Sequence, residues 1–217
     1  MINENIYGLE LLQSLLIGKP YLPFSRTSLK PIVISLLLND IIVHQRKNIL
    51  ELGCGLSTIL MARMIEQNGL ETKITSVDHN LGWIDLMSGI ISKENLQNKV
   101  NLIYSPLKTE KEWNNKKYYW YDEDILNKKL GINYDLILID GPPAWNPEIE
   151  FSRIFAFPFL TKKLNDKTFS IMLDDIGRNG EKEAMNYWSS LIGIQSKILY
   201  NQVGILNKNS YFDVCPI

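Results

Sequence analysis

Residues 47–64 read KNILELGCGLSTILMARM. An apolar run at 49–52 meets a turn carrying Gly53 and Gly55, and the chain resumes with helical spacing through Ile59, Leu60, Met61 and Met64. This is strand, glycine turn, helix. Glycines let the backbone come close to a ligand, and the first turn of the following helix presents unpaired N–H groups. The stretch therefore predicts a small-molecule site. A dinucleotide fingerprint, G-x-G-x-x-G, requires a third glycine at position 58, where this chain has Thr58. That weighs against an NAD-type oxidoreductase, which stays as a rival reading. The stretch also has Glu51 two positions before the first glycine, a carboxylate suited to a ligand bearing an ammonium group.

Working outward, a β-branched run at 72–77 ends in Asp78, His79 and Asn80. Asp78 lies roughly twenty residues past the glycine turn, where nucleotide folds place an acid on the ribose hydroxyls. Further strands are expected at 99–104, ending in Ser105, Pro106 and Leu107, at 133–140 (NYDLILID), and at 168–173, ending in Asp174 and Asp175. Helical spacing separates them at about 81–95, 147–163 and 179–191. The C-terminal part turns strand-like at 196–200, 204–206 and 211–214. Two helices lead the chain, at about 3–17 and after cap candidates at 25–28 with Pro31 in the first turn. The polar segment 108–130 carries Trp113, Tyr118, Tyr119, Trp120 and Tyr121, and is expected to be loop-like, its rings either stacking on a ligand or roofing the core. The order predicts an α/β fold, a doubly wound, Rossmann-like seven-stranded sheet with a C-terminal antiparallel hairpin and two leading helices. There is no internal repeat or linker, so one domain is expected over 1–217.

Composition sets bounds on function. With 23 basic and 24 acidic side chains, the chain has no field to concentrate nucleic acid or an anionic membrane. A small, near-neutral substrate is expected, with neither nucleic acid nor membrane as partner. Cys54 and Cys215 lie far apart and predict no disulfide framework, and the start MINENIYG has no signal-peptide pattern. A reducing cytoplasm is the expected location.

The ELGCG turn, Asp78, the DGPP at 140–143 and the Asp174–Asp175 pair together resemble the class I S-adenosylmethionine-dependent methyltransferases. Trp120, Tyr121, Arg153, Arg178 and Glu181 extend the resemblance over about 48–188, toward bacterial small-molecule and sugar O-methyltransferase-like proteins. The resemblance implies S-adenosylmethionine as cofactor, held by Glu51, Gly53, Gly55, Ser57, Asp78, Asn80, Ser105 and Leu107, the last two near the adenine. It also implies that residues 1–45 form a helical lid over a core at 46–217, with Thr27 and Ser28 near the cofactor carboxylate. A homodimer is left open.

In open α/β sheets, ligands bind beyond the carboxyl ends of the strands, so Glu51, Asp78, Asp140, Asp174 and Asp175 are expected to converge. Such acids repel one another until a cation, a proton or a metal relieves them. Asp140, Asp174 and Asp175 resemble the acid triad with which catechol-type and sugar O-methyltransferases hold Mg2+ or another divalent cation. The second acid of the sugar enzymes' D-G-D is here Pro142, so their proposed base is missing. Without a metal, Asp140, Asp175 or His79 would take the acceptor proton directly. The D-P-P-Y of enzymes that methylate DNA bases is not matched, because Ala144 follows the prolines. The expected function is methyl transfer to an oxygen of a small metabolite or saccharide. A non-catalytic nucleotide-fold partner subunit is the rival outside enzymes.

Overall fold

The computed structural model describes residues 2–217. The chain opens with α1 (Ile2–Leu11), α2 (Gln13–Leu16) and α3 (Pro31–Val43), and then enters the sheet through β1 (Asn48–Leu52), α4 (Leu56–Gln67), β2 (Lys73–Asp78), α5 (Leu81–Lys93) and β3 (Val100–Tyr104). A hairpin of β4 (Leu107–Trp113) and β5 (Lys116–Tyr121) follows, with α6 (Glu123–Lys129) behind it. The chain closes with β6 (Leu136–Ile139), α7 (Ala156–Leu160), β7 (Phe169–Asp174), α8 (Asn179–Ile192), β8 (Lys197–Leu199) and β9 (Val203–Lys208).

The main sheet has seven strands in the order β3-β2-β1-β6-β7-β9-β8. Its first five strands are parallel, and β9 and β8 join antiparallel as the C-terminal hairpin. Strand residues alternate between two apolar layers. Ile49, Leu136, Leu138 and Met172 face the layer of α3, α4 and α5, while Leu50, Ile137, Ile139 and Leu173 face the layer of α6, α7, α8 and the hairpin aromatics. Helices on both faces explain why these strands read as unbroken apolar runs. The order reverses between β1 and β6, so the carboxyl ends of those two strands open a crevice at the switch point.

Four expectations are corrected. Residues 108–130 are not loop-like. The Asn114–Asn115 pair, both at positive φ, turns a two-residue hairpin, and the Asp122 side chain caps α6 by accepting from the N–H groups of Asp124 and Ile125. Tyr118, Trp120 and Tyr121 are buried and roof the core, and Trp113 reaches α8, donating to Glu183 Oε1 at 2.7 Å. The single helix expected at 147–163 is broken into a turn, a 3-10 segment at 152–155, the five-residue α7 and another 3-10 turn. Pro158 falls in the first turn of α7, where its missing N–H costs nothing. The strand expected at 211–214 does not form. The first leading helix is divided at Leu12. There, α1 crosses α3 closely enough that a Cβ on Gly8 would collide with the backbone of Ile32, and Ser35 Oγ donates to Gly8 O across the contact.

Candidate functional site

A cavity of about 720 Å3 lies beyond the carboxyl ends of the strands. Gly53, Asp78 and His79 form one side of it, and Asp140, Asp174 and Asp175 the other. Arg26, Thr27, Ser28 and Lys30, from the connection before α3, also line it. The two sides meet at Gly53. Its φ of +93° is a conformation that favours glycine, and a Cβ there would sit 2.9 Å from the carbonyl carbon of Asp140. The glycine turn after β1 thus packs directly on the turn after β6.

Glu51 does not face this cavity. It is fully buried, and its carboxylate accepts from Ser57 Oγ, Thr58 Oγ1 and Ser76 Oγ, each at 2.5 Å. Thr58 Oγ1 also accepts from the Gly55 N–H at 2.8 Å. The residue that breaks the dinucleotide fingerprint therefore ties the turn to the acid. Burial pushes Glu51 up to about 7, against the pull of the three hydroxyls. Its expected contact with a ligand ammonium is replaced in this geometry by a bracing role, and Ser57 is part of the brace.

Asp78, at the end of β2, is nearly buried but lines the cavity. Its Oδ1 accepts from the Asn80 N–H at 2.8 Å and lies 3.4 Å from His79 Nδ1. Asn80 itself caps α5 by accepting from the Trp83 N–H, and Trp83 Nε1 donates to Cys54 O, closing the turn from outside. Gly55 opens α4 with empty space where a side chain would be. Ser105 is fully buried with its hydroxyl turned to Asp122 O, and Leu107 starts β4, so neither reaches the cavity.

On the far side the expected convergence of acids occurs. Carboxyl oxygens of Asp140, Asp174 and Asp175 lie within 4.8 Å of one another. Arg153, named in the sequence only through the resemblance, holds them. Its Nη2 donates to Asp140 O at 2.8 Å and Asp140 Oδ1 at 3.2 Å, its Nη1 to Asp175 Oδ2 at 3.3 Å and Asp174 O at 3.4 Å, and its Nε to Pro142 O at 2.9 Å. Behind it, the fully buried Glu181 lies 3.5 Å from Arg153 Nη1 and 3.4 Å from Arg178 Nη1. Arg178 Nη2 also pairs with Asp175 Oδ2 at 2.5 Å. Burial raises Asp140 well above the carboxylate range, with Arg153 opposing and Asp174 and Asp175 adding to the rise. Burial and then Asp175 push Asp174 to about 6, and burial lifts Glu181 to about 7 against its two arginines. Burial, not like-charge repulsion, is the first cause in each case.

Sequence reasoning gave no signal for two wall residues, Asn201 and Gln202, and named Tyr121 only within an aromatic cluster. Tyr121 enters because β5 brings it beside Gly141, and Asn201 and Gln202 enter from the turn between β8 and β9. Trp145 stands at the mouth, 69% exposed, in the turn after the DGPP. No spacing rule reaches across separate turns, and strand alternation would have grouped Tyr121 with the exposed Tyr119.

A family model described as a methyltransferase domain matches residues 50–176, more than half of the chain. A search of curated protein sequences gives no match. Solved structures do match. The chain is similar to the SAH-bound methyltransferase PaMTH1 of Podospora anserina (14% identity, 93% of this chain and 87% of that one, TM-score 0.63). It is also similar to an O-methyltransferase of Bacillus cereus in complex with SAH (16% identity, 94% and 89%, TM-score 0.53). The N-terminal domain of human METTL16 in complex with SAH matches at 17% identity over 96% of this chain and 82% of that one, with a TM-score of 0.58. At such identities the likeness concerns the fold.

Proposed function

This chain belongs to the methyltransferase domain family, as a class I S-adenosylmethionine-dependent member, and we propose that it transfers the methyl group to an oxygen of a small metabolite or saccharide. One observation carries the reading. Gly53 and Asp78, the expected cofactor side, share a cavity with Asp140, Asp174 and Asp175, the expected acceptor side, and the Gly53 turn packs on the backbone of Asp140. Methyl transfer from a sulfonium is an in-line displacement, so donor and acceptor must share one enclosed space, and about 720 Å3 accommodates both.

S-adenosylmethionine supplies an electrophilic methyl group and leaves as S-adenosylhomocysteine. The protein's part is positioning and proton removal. Asp78 holds the ribose hydroxyls, and the Gly53–Gly55 turn lets the backbone approach the cofactor. Thr27 and Ser28 line the cavity from the N-terminal segment, which supports reading residues 1–45 as a lid that bears on the cofactor carboxylate. Asp140 or Asp175 takes the acceptor hydroxyl proton as the oxygen attacks carbon and the C–S bond breaks. Burial raises Asp140 well above the carboxylate range, which makes it the stronger base once ionised. His79 also lines the cavity, and with its Nδ1 3.4 Å from Asp78 Oδ1 it is Nε2 that would take a proton. Trp145, an exposed ring at the mouth, supports a saccharide, whose apolar ring face stacks on indole.

The donor set of Asp140, Asp174 and Asp175 suits Mg2+, but two of the three carboxylates already share Arg153. The residues fit a resident dication poorly, and proton transfer in this reading runs through the carboxylates alone. The central test is calorimetric titration of the pure protein with S-adenosylmethionine and S-adenosylhomocysteine. Binding of both at micromolar affinity is expected, and binding of neither refutes the reading.

A further inference from the structure

We propose that the guanidinium of Arg153 is the resident counter-cation of the Asp140, Asp174 and Asp175 acids, so that this site recruits no divalent ion. The group is fixed in position. Only 5% of its side chain is exposed, and three of its five hydrogen bonds go to the backbone carbonyls of Asp140, Pro142 and Asp174. Two of those carbonyls lie at the ends of β6 and β7, which the sheet holds still, so the guanidinium cannot swing aside to admit an ion.

Two of the three carboxylates are also partly engaged. Asp140 commits Oδ1 to Arg153, and Asp175 Oδ2 is shared between Arg153 and Arg178. A hard cation would sit about 2.1 Å from its ligand oxygens, hence within roughly 5 Å of two guanidinium nitrogens, beside an Arg153 side chain that is only 5% exposed. Like charges at that separation repel one another. Glu181 reinforces the arrangement from behind. It is fully buried, its Oε2 has no hydrogen-bond partner, and its Oε1 faces both arginines, so it draws them inward and away from any substitute position. Arg153 thus acts as a positioning residue. It gathers two strand-end turns into one wall and supplies the positive charge that lets three carboxyl groups face the same space.

The inference concerns the same cavity as the proposed function, but its test needs neither cofactor nor acceptor. Mn2+ is titrated into the full chain without S-adenosylmethionine, and the free ion is followed by electron paramagnetic resonance in wild type, Arg153→Gln and Arg153→Lys, with circular dichroism as the check on folding. Wild type is expected to show no site tighter than about 1 mM. Arg153→Gln, which frees Asp140 and Asp175, is expected to bind one Mn2+ at least about tenfold more tightly, and Arg153→Lys, which keeps the charge, to stay near wild type. One equivalent of Mn2+ bound to wild type at micromolar affinity overturns the inference, as does a folded Arg153→Gln without the gain. Should Arg153→Gln fail to fold, the wild-type and lysine titrations still decide. S-adenosylhomocysteine binding on the same protein reports separately on the methyltransferase reading.

Discussion

Replacing Glu51 with glutamine removes one titration from the protein while keeping its shape, and the structure sets the size of the effect. Glu51 has no exposed surface, and burial raises it to about 7 from an ordinary value of 4.5. In the unfolded chain it ionises near its ordinary value, so between those two pH values the folded state holds a proton that the unfolded state has released. The sign follows from linkage. The stabilisation is complete below about pH 4.5, is lost as pH rises through the folded value, and levels off above it. At about 1.4 kcal/mol per pH unit, the loss amounts to about 3 kcal/mol. Asp140, Asp174 and Glu181 are raised as well and slope the same way, so wild type alone cannot isolate Glu51. The difference from Glu51→Gln does isolate it, because glutamine is neutral at every pH and occupies the same volume. Urea unfolding followed by tryptophan fluorescence at pH 5, 6, 7 and 8 is the assay. Relative to its offset well below pH 4.5, the variant is expected to gain on wild type by about 1 kcal/mol at pH 5 and by about 3 kcal/mol at pH 8. A difference that stays constant across this range refutes the argument, since it would mean that the three hydroxyls keep Glu51 ionised at pH 5.

Two other substitutions separate the turn from the ribose acid. Gly53→Ala forces a side chain into a positive-φ position 2.9 Å from the Asp140 carbonyl carbon, and should cost about 2–4 kcal/mol in calorimetric stability with loss of S-adenosylhomocysteine binding; retention of both would show that the two turns are not mutually dependent. Asp78→Asn keeps an acceptor for the Asn80 N–H but removes the charge, so the melting temperature should hardly move while S-adenosylhomocysteine affinity falls about 10–100-fold by calorimetry. Unchanged affinity would remove Asp78 from the cofactor site.

Much of this architecture was legible because local signals and tertiary context agree. The apolar runs at 49–52 and 133–140 became central parallel strands, and Asp78, Asp140 and Asp174–Asp175 fell at strand ends as their positions predicted. The errors share a cause. Residues 108–130 looked like loop because aromatic and charged side chains mask an alternation that only the Asn114–Asn115 turn explains. The broken stretch at 147–163 looked helical because its apolar spacing is real, although it serves a 3-10 segment whose purpose is to bury Arg153.

The same limit applies to the chemistry. An acid at a strand end announces itself, because strand ends are readable and a carboxylate there has few structural uses. Its counter-charge does not, since a guanidinium on a long side chain reaches its partners from another element. Glu51 and Asp140 illustrate the two outcomes. Both sit just before or at a glycine turn, and from sequence Glu51 was expected to meet the ligand ammonium and Asp140 a metal or the acceptor proton. Ser57, Thr58 and Ser76 enclose the first and neutralise its need for one, whereas Asp140 keeps a face on the cavity and takes Arg153 from behind. Whether an acid in such a motif binds, braces or reacts is therefore decided by the donors packed around it, and those come from residues 6 to 25 positions away in the first case and 13 in the second. The family motif locates the crevice. The placement of hydroxyls and arginines around its acids assigns the work.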